Sequence, residues 1–172
     1  TYQAPGFIYG ETKHAYAAQL LSRIMGGTNI SRLYKDMVID KKIAVAAGSD
    51  YSAFRRGPGE FTLYALPAEK VSVEKLEKAL MAQAKKIIEK GVTDAELESA
   101  KKAMVNEMIY GREGLQQMSY TLGQIIAIGL DPSFIMHWED NLNKVTKEEV
   151  QEAAKYIFEQ KAKVTGMLKN EN

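Results

Sequence analysis

Between Ile43 and Leu66 the hydrophobic residues recur at every second position, whereas on either side they recur at helical spacing. Ile43, Val45 and Ala47 begin one alternating run, which continues through Tyr51 to Phe54. Phe61, Leu63 and Ala65 form a second, with Thr62, Tyr64 and Leu66 on the opposite face. Arg55-Arg56-Gly57-Pro58-Gly59 lies between the two and reads as a hairpin loop. A run of helices follows, and then Ala162, Val164, Gly166 and Leu168 suggest a late strand returning to the sheet. Strands and helices grouped in this way predict an α+β fold, a mainly antiparallel sheet packed against several helices, and not alternating βαβ units. An edge strand or two belonging to that sheet is expected ahead of Thr1.

The helix boundaries are marked by local chemistry. Ala17, Leu20, Leu21 and Ile24 share one face of a helix from Glu11 to Met25, which Gly26-Gly27 ends. A second helix starts near Ser31 and turns Leu33, Tyr34, Met37 and Val38 inward. Val73, Leu76, Leu80, Ala84, Ile87 and Ile88 define a long amphipathic helix that stops at Gly91. In Val92-Thr93-Asp94-Ala95-Glu96-Leu97 the Thr93 and Glu96 side chains can satisfy each other's free backbone N–H, while Val92 touches Leu97. Val145-Thr146-Lys147-Glu148-Glu149-Val150 repeats this device. Leu115, Met118, Leu122, Ile125 and Ile126 make another apolar stripe, broken at Asp131-Pro132.

Composition excludes several classes of function. Residues 1–172 suit one domain, and a formal net charge of +1 provides no field to attract nucleic acid or anionic lipid. No apolar run approaches the roughly 20 residues that span a bilayer. The absence of cysteine removes disulfides and thiolate ligands. Glu11 and His14 have the spacing of two ligands on one helical face, but a zinc site needs three or four, so they read as a solvated first-turn pair. Lys85-Lys86 and Lys101-Lys102 read as solvated helix faces. Met25, Met37, Met104, Met108 and Met118 read as core, and Tyr9, Tyr51, Tyr64 and Tyr110 as rings able to line a cavity. Arg55 and Arg56 are candidate contacts to an acidic partner or a peptide. No residue is assigned a catalytic or metal-binding role.

Taken in order, several segments resemble the second, C-terminal domain of pitrilysin/insulinase-type zinc metallopeptidases, the family of the mitochondrial processing peptidase subunits and the respiratory core proteins. They are Tyr2-x-Ala4-Pro5-Gly6, Gly26-Gly27, Ser31-Arg32-Leu33-Tyr34, Gly91-Val92-Thr93-Asp94-Ala95-Glu96-Leu97-Glu98 and Val145-Thr146-Lys147-Glu148-Glu149-Val150, with the closing Val164-Thr165-Gly166. The resemblance implies a proteolytic chamber made of two similar halves. The first binds zinc through H-x-x-E-H and a later glutamate; the second closes the chamber, supports peptide binding and carries a dimerisation surface. The related helix here reads Ala18-Gln19-Leu20-Leu21-Ser22, without the ligands. Residues 1–172 would then be a C-terminal fragment, not catalytic by itself, with zinc expected in the missing N-terminal half of the same chain.

Many such second halves carry an arginine and, seven residues later, a tyrosine that position the scissile peptide and its developing oxyanion. The matching positions here are Val38 and Val45, neither of which can donate a hydrogen bond. The resemblance therefore implies pairing with a related subunit, as a homo- or heterodimer, in which another chain supplies that pair. The alternatives are a non-catalytic scaffold like the core proteins and a stand-alone peptide-binding module. A periplasmic location is expected by analogy with bacterial relatives and rests on no residue of this sequence.

Overall fold

Alternation and a glycine–proline turn bring the two predicted strands together. In the computed structural model, which describes residues 1–111 and 115–168 (the side chains of 111 and 115–117 excepted), β2 spans Ala44–Ser52 and β3 spans Gly59–Pro67. They pair antiparallel from Ser52↔Glu60 to Ala44↔Pro67, with an irregularity between Ala44 and Ala46 that pushes Val45 out of the ladder. A short β1, Tyr2–Ala4, pairs with the other edge of β3 at Gly59, Glu60 and Phe61, giving the order β1-β3-β2. The fold is α+β, with an antiparallel sheet packed against several helices.

Seven α-helices accompany the sheet among the described residues: α1 (Ala15–Gly26), α2 (Arg32–Tyr34), α3 (Val73–Lys90), α4 (Asp94–Gly111), α5 (Leu115–Ile128), α6 (Phe134–Lys144) and α7 (Lys147–Phe158). The helix predicted from Glu11 begins as a 3-10 turn, Thr12–His14, and α2 runs on into a π-helical turn, Lys35–Asp40. On the inner face, α1 packs on β2 and α7, while α3 packs on β3 and α7. Phe61, Leu20, Leu21, Met25 and Ile157 are fully buried there. Phe158 meets Tyr2 and Phe61 edge-on, at ring separations of 5.2 and 5.4 Å. A second aromatic cluster, Phe7 with Tyr16, Phe54 and Phe134, fixes the loop after β1 to the helices at ring separations of 4.7–5.0 Å.

Gly26 explains how closely α1 lies on the sheet. A Cβ there would stand 1.8 Å from the backbone nitrogen of Ser49, so only glycine admits this approach. Ser49 Oγ returns a hydrogen bond to the Ser22 carbonyl at 2.8 Å. Gly91, at φ +65°, closes α3 as its position after the last apolar residue predicts.

The motif segments named by the resemblance meet in space. Arg32 Nε and Nη2 donate to Glu96 Oε1 and Oε2 at 2.6 and 2.7 Å, and Nη2 also reaches the Gly91 carbonyl at 3.1 Å. Glu96 at once accepts from the backbone N–H of Thr93 at 2.8 Å, and Glu96 N donates to Thr93 Oγ1 at 3.2 Å, which completes the predicted box. This fork-to-fork bond to Arg32 is the chief reason the Glu96 carboxyl is held down at about 2. The second box, at Thr146 and Glu149, is also formed, and Lys147 Nζ at its start bonds Asp94 of the first at 3.1 Å.

Some readings are corrected. Lys101 is buried, its Nζ donating to the Asn143 carbonyl at 2.9 Å and pairing with Glu98 at 3.3 Å, because α6 packs over that part of α4. The late strand is reduced to a bridge between Tyr2 and Lys163, and Val164 and Leu168 are exposed. In the apolar stripe of α5, Ile125 is buried but Ile126 is exposed, and the side chain of Leu115 lies outside the described residues.

Candidate functional site

Val38 and Val45 lie on adjoining elements. Val38 belongs to the π-helical turn, is half-buried and packs against the core; that turn contacts β2, where Val45 stands 62% exposed. The wide turn arises from the return of the chain into the sheet. Lys41 N bonds the Asp36 carbonyl at 3.0 Å, Ile43 N bonds the Met37 carbonyl at 2.9 Å, and Lys42 between them takes a positive φ of 52°. Both valines are apolar, so this corner of the domain offers no side-chain donor at either position.

Arg55 and Arg56 are held by the protein itself. Arg55 Nη1 lies 2.5 Å from Glu60 Oε1 across the hairpin, and Arg56 Nε donates to the Ala127 carbonyl at 2.9 Å, tying the hairpin to the end of α5. Both remain exposed.

Glu11 and His14 differ in exposure. Glu11 is exposed and 3.7 Å from Lys13, whereas His14 is only 8% exposed, its ring 5.4 Å from that of Tyr156 on α7. The expected solvated pair is thus half right, because α7 covers the histidine. Burial, reinforced by Lys13, pushes the His14 imidazole below its ordinary range and favours the neutral ring. Among the described residues, no group of three or more His, Asp or Glu side chains is placed to hold a metal ion.

A groove on the outer side of the sheet edge went unread in the sequence. It encloses about 1010 Å³ and is bounded by residues 62–67 of β3, the first half of α3 and residues 163–168. Tyr64 and Leu66, 45% and 52% exposed, line it beside Leu80 and Met81 of α3. Of the four tyrosines expected at a cavity, Tyr64 alone is among its walls. Tyr51 instead turns inward and donates to the Pro5 carbonyl at 2.7 Å, and burial raises its phenol well above the ordinary range. The available signal was the apolar character of Tyr64 and Leu66 on the strand face opposite Phe61.

The chain belongs to the family described as the Peptidase M16 inactive domain, whose model matches residues 2–104. No curated protein sequence matches it significantly. Solved structures share its fold. A protease from Helicobacter pylori superposes with a TM-score of 0.79 at 21% identity, over 91% of this chain and 36% of that one. The inactive peptidase domain of a candidate zinc protease from Bordetella parapertussis gives 0.79 at 19%, covering 91% and 81%. The periplasmic protease PqqL from Escherichia coli gives 0.66 at 15%, covering 91% and 17%. The chain therefore spans about a third of the Helicobacter pylori protease. Among the described residues no helix is long and apolar enough to cross a membrane.

Proposed function

We propose that this domain is the metal-free half of a zinc-dependent peptidase subunit. A zinc-binding half encoded in the same chain faces it, and together they enclose a chamber for an extended peptide. The observation that carries this reading is the match to an inactive peptidase domain over residues 2–104. Val38 and Val45 extend it. With no donor at the positions where relatives place their arginine and tyrosine, the oxyanion donors come from a related subunit, and the domain carries part of the surface that binds that subunit. The periplasm is the compartment assigned, by analogy with the periplasmic protease PqqL.

The test uses the full-length protein. It should copurify with about one zinc per chain and hydrolyse unfolded peptides only after the related subunit is added. A full-length chain that binds no zinc would be a scaffold and would overturn the proposal. Zinc-dependent hydrolysis by residues 1–172 alone would overturn it as well.

A further inference from the structure

At one margin the sheet is tied off by the chain itself. Beyond β1, Thr1 N donates to the Val164 carbonyl and Val164 N to the Thr1 carbonyl, both at 2.9 Å. Its outer face is open. Phe61 is fully buried, so the alternate residues Thr62, Tyr64 and Leu66 of β3 look outward, with Asp50, Gly48 and Ala46 of β2 directly across from them. A Cβ at Gly48 would stand 2.5 Å from Tyr64 Oη and 2.7 Å from its Cζ, so the phenol ring lies across β2 instead of standing up from the sheet. Tyr64 and Leu66, with Val45 beside them, make an exposed apolar platform.

The two ends of this platform carry opposite charge. Asp50, across from Thr62, is exposed and has no hydrogen-bond or ion-pair partner among the described residues. Glu60, further along, is neutralised by Arg55. At the other end the ladder closes at Ala44↔Pro67, and Ala68 N bonds the Ile43 carbonyl at 3.0 Å. The turns on either side of that closure each hold a lysine at positive φ, Lys42 at 52° and Lys70 at 63°. Among the described residues they are the only non-glycine residues so placed, in a backbone that suits glycine and strains lysine. Lys42 has no partner among the described residues, and Lys70 reaches only its neighbour Glu69, at 3.8 Å. Lys41 is bonded to Asp36 at 2.6 Å; with Lys35, the lysines at this end outnumber the acids Asp36, Asp40 and Glu69.

We propose that this face is a recognition wall for an extended peptide that carries an apolar side chain between an acidic and a basic residue. The acidic residue lies at Lys42 and Lys70, the apolar one on Tyr64 and Leu66, and the basic one at Asp50. This rests on the proposed function, in which Val45 looks into the peptidase chamber, and names the class of peptide that the chamber takes. The unpaired charges fit a peptide better than a packed subunit. A subunit would strip water from Asp50 and Lys42, whereas a single peptide strand leaves both partly wet.

The register sets the spacing within that peptide. From Pro67 to Thr62 the outer face runs about 17 Å, at roughly 3.3 Å per residue. An acidic and a basic residue at the two ends of an extended hexapeptide span the same length. The residues between them meet the flat face of Tyr64, where a bulky apolar side chain finds the largest contact.

The test is binding of fluorescein-labelled hexapeptides to the full-length protein with zinc chelated, so that the peptides stay intact. Each is built of serine with phenylalanine at the centre; one has glutamate at one end and lysine at the other, one glutamate at both ends, one lysine at both. The mixed peptide should bind about fivefold more tightly than either of the others. Replacing its phenylalanine with serine should weaken it about tenfold. Asp50→Lys should transfer the preference to the peptide with two glutamates, and Lys42→Glu with Lys70→Glu to the peptide with two lysines. Equal affinity of the three peptides for the unaltered protein overturns the proposal, and so does a preference that neither variant moves. Loss of peptide binding on addition of the related subunit would assign the face to that subunit and overturn it too. Zinc and the related subunit are then restored together. Hydrolysis without the charge preference removes the recognition wall alone, and preferential binding without hydrolysis removes the peptidase reading alone.

Discussion

Arg32 and Glu96 are separated by 63 intervening positions, yet their side chains meet at 17% and 31% exposure in a two-pronged bond. A charged pair so shielded, with the Gly91 carbonyl as a further acceptor, fixes α2 to the junction of α3 and α4. Arg32→Met should lower unfolding free energy by about 2 kcal/mol, measured by denaturant titration. Glu96 also gives the fold an acid dependence. Its carboxyl lies at about 2, below the ordinary 4.5, so the unfolded chain binds the proton more tightly. The contribution is complete above pH 4.5 and disappears as pH falls toward 2; Glu96→Gln should flatten the stability profile across that window. A profile with the same slope in the variant would contradict this assignment.

At the scale of elements, the two reciprocal helix starts are local devices and behave as such. Thr146→Ala leaves the N–H of Glu149 without its acceptor and should cost about 1 kcal/mol, checked by thermal unfolding, with the sheet undisturbed. The same locality made these starts legible: Thr93, Glu96, Thr146 and Glu149 lie within a turn of their partners, so sequence spacing sufficed. The hairpin was legible for the same reason. Lys101 and His14 were misread because helices distant in sequence, α6 and α7, cover them. The π-helical turn was not legible either. It arises where α2 must return to the sheet between Met37 and Ile43, a demand of tertiary geometry. The late strand was overread, since alternation at 162–168 cannot reveal that β1 pairs with it at one bridge only. Within the candidate site, Val38 and Val45 were named through the resemblance, whereas the groove was not legible because its walls come from β3, α3 and residues 163–168, which lie far apart in sequence.

At the scale of the whole molecule, the proposed division of labour can be reversed. Val45 is open to solvent and Val38 is half-buried at the edge of the core, so longer polar side chains at both positions can reach outward. In a zinc-loaded full-length protein, Val38→Arg with Val45→Tyr should raise peptide hydrolysis in the absence of the related subunit by about a hundredfold, followed with a quenched fluorescent peptide. No gain in a folded, zinc-containing variant would mean that these positions do not face the reacting peptide. The bond between Thr1 and Val164 has a further consequence for biosynthesis. It joins positions 163 apart in sequence, and the Gln3 amide likewise waits for the Ala162 carbonyl. The outer rim of β1 therefore stays unzipped until residues 162–164 have been made, and a nascent chain stalled before Ala162 leaves the tunnel will carry a ragged sheet margin, open to chaperones and proteases.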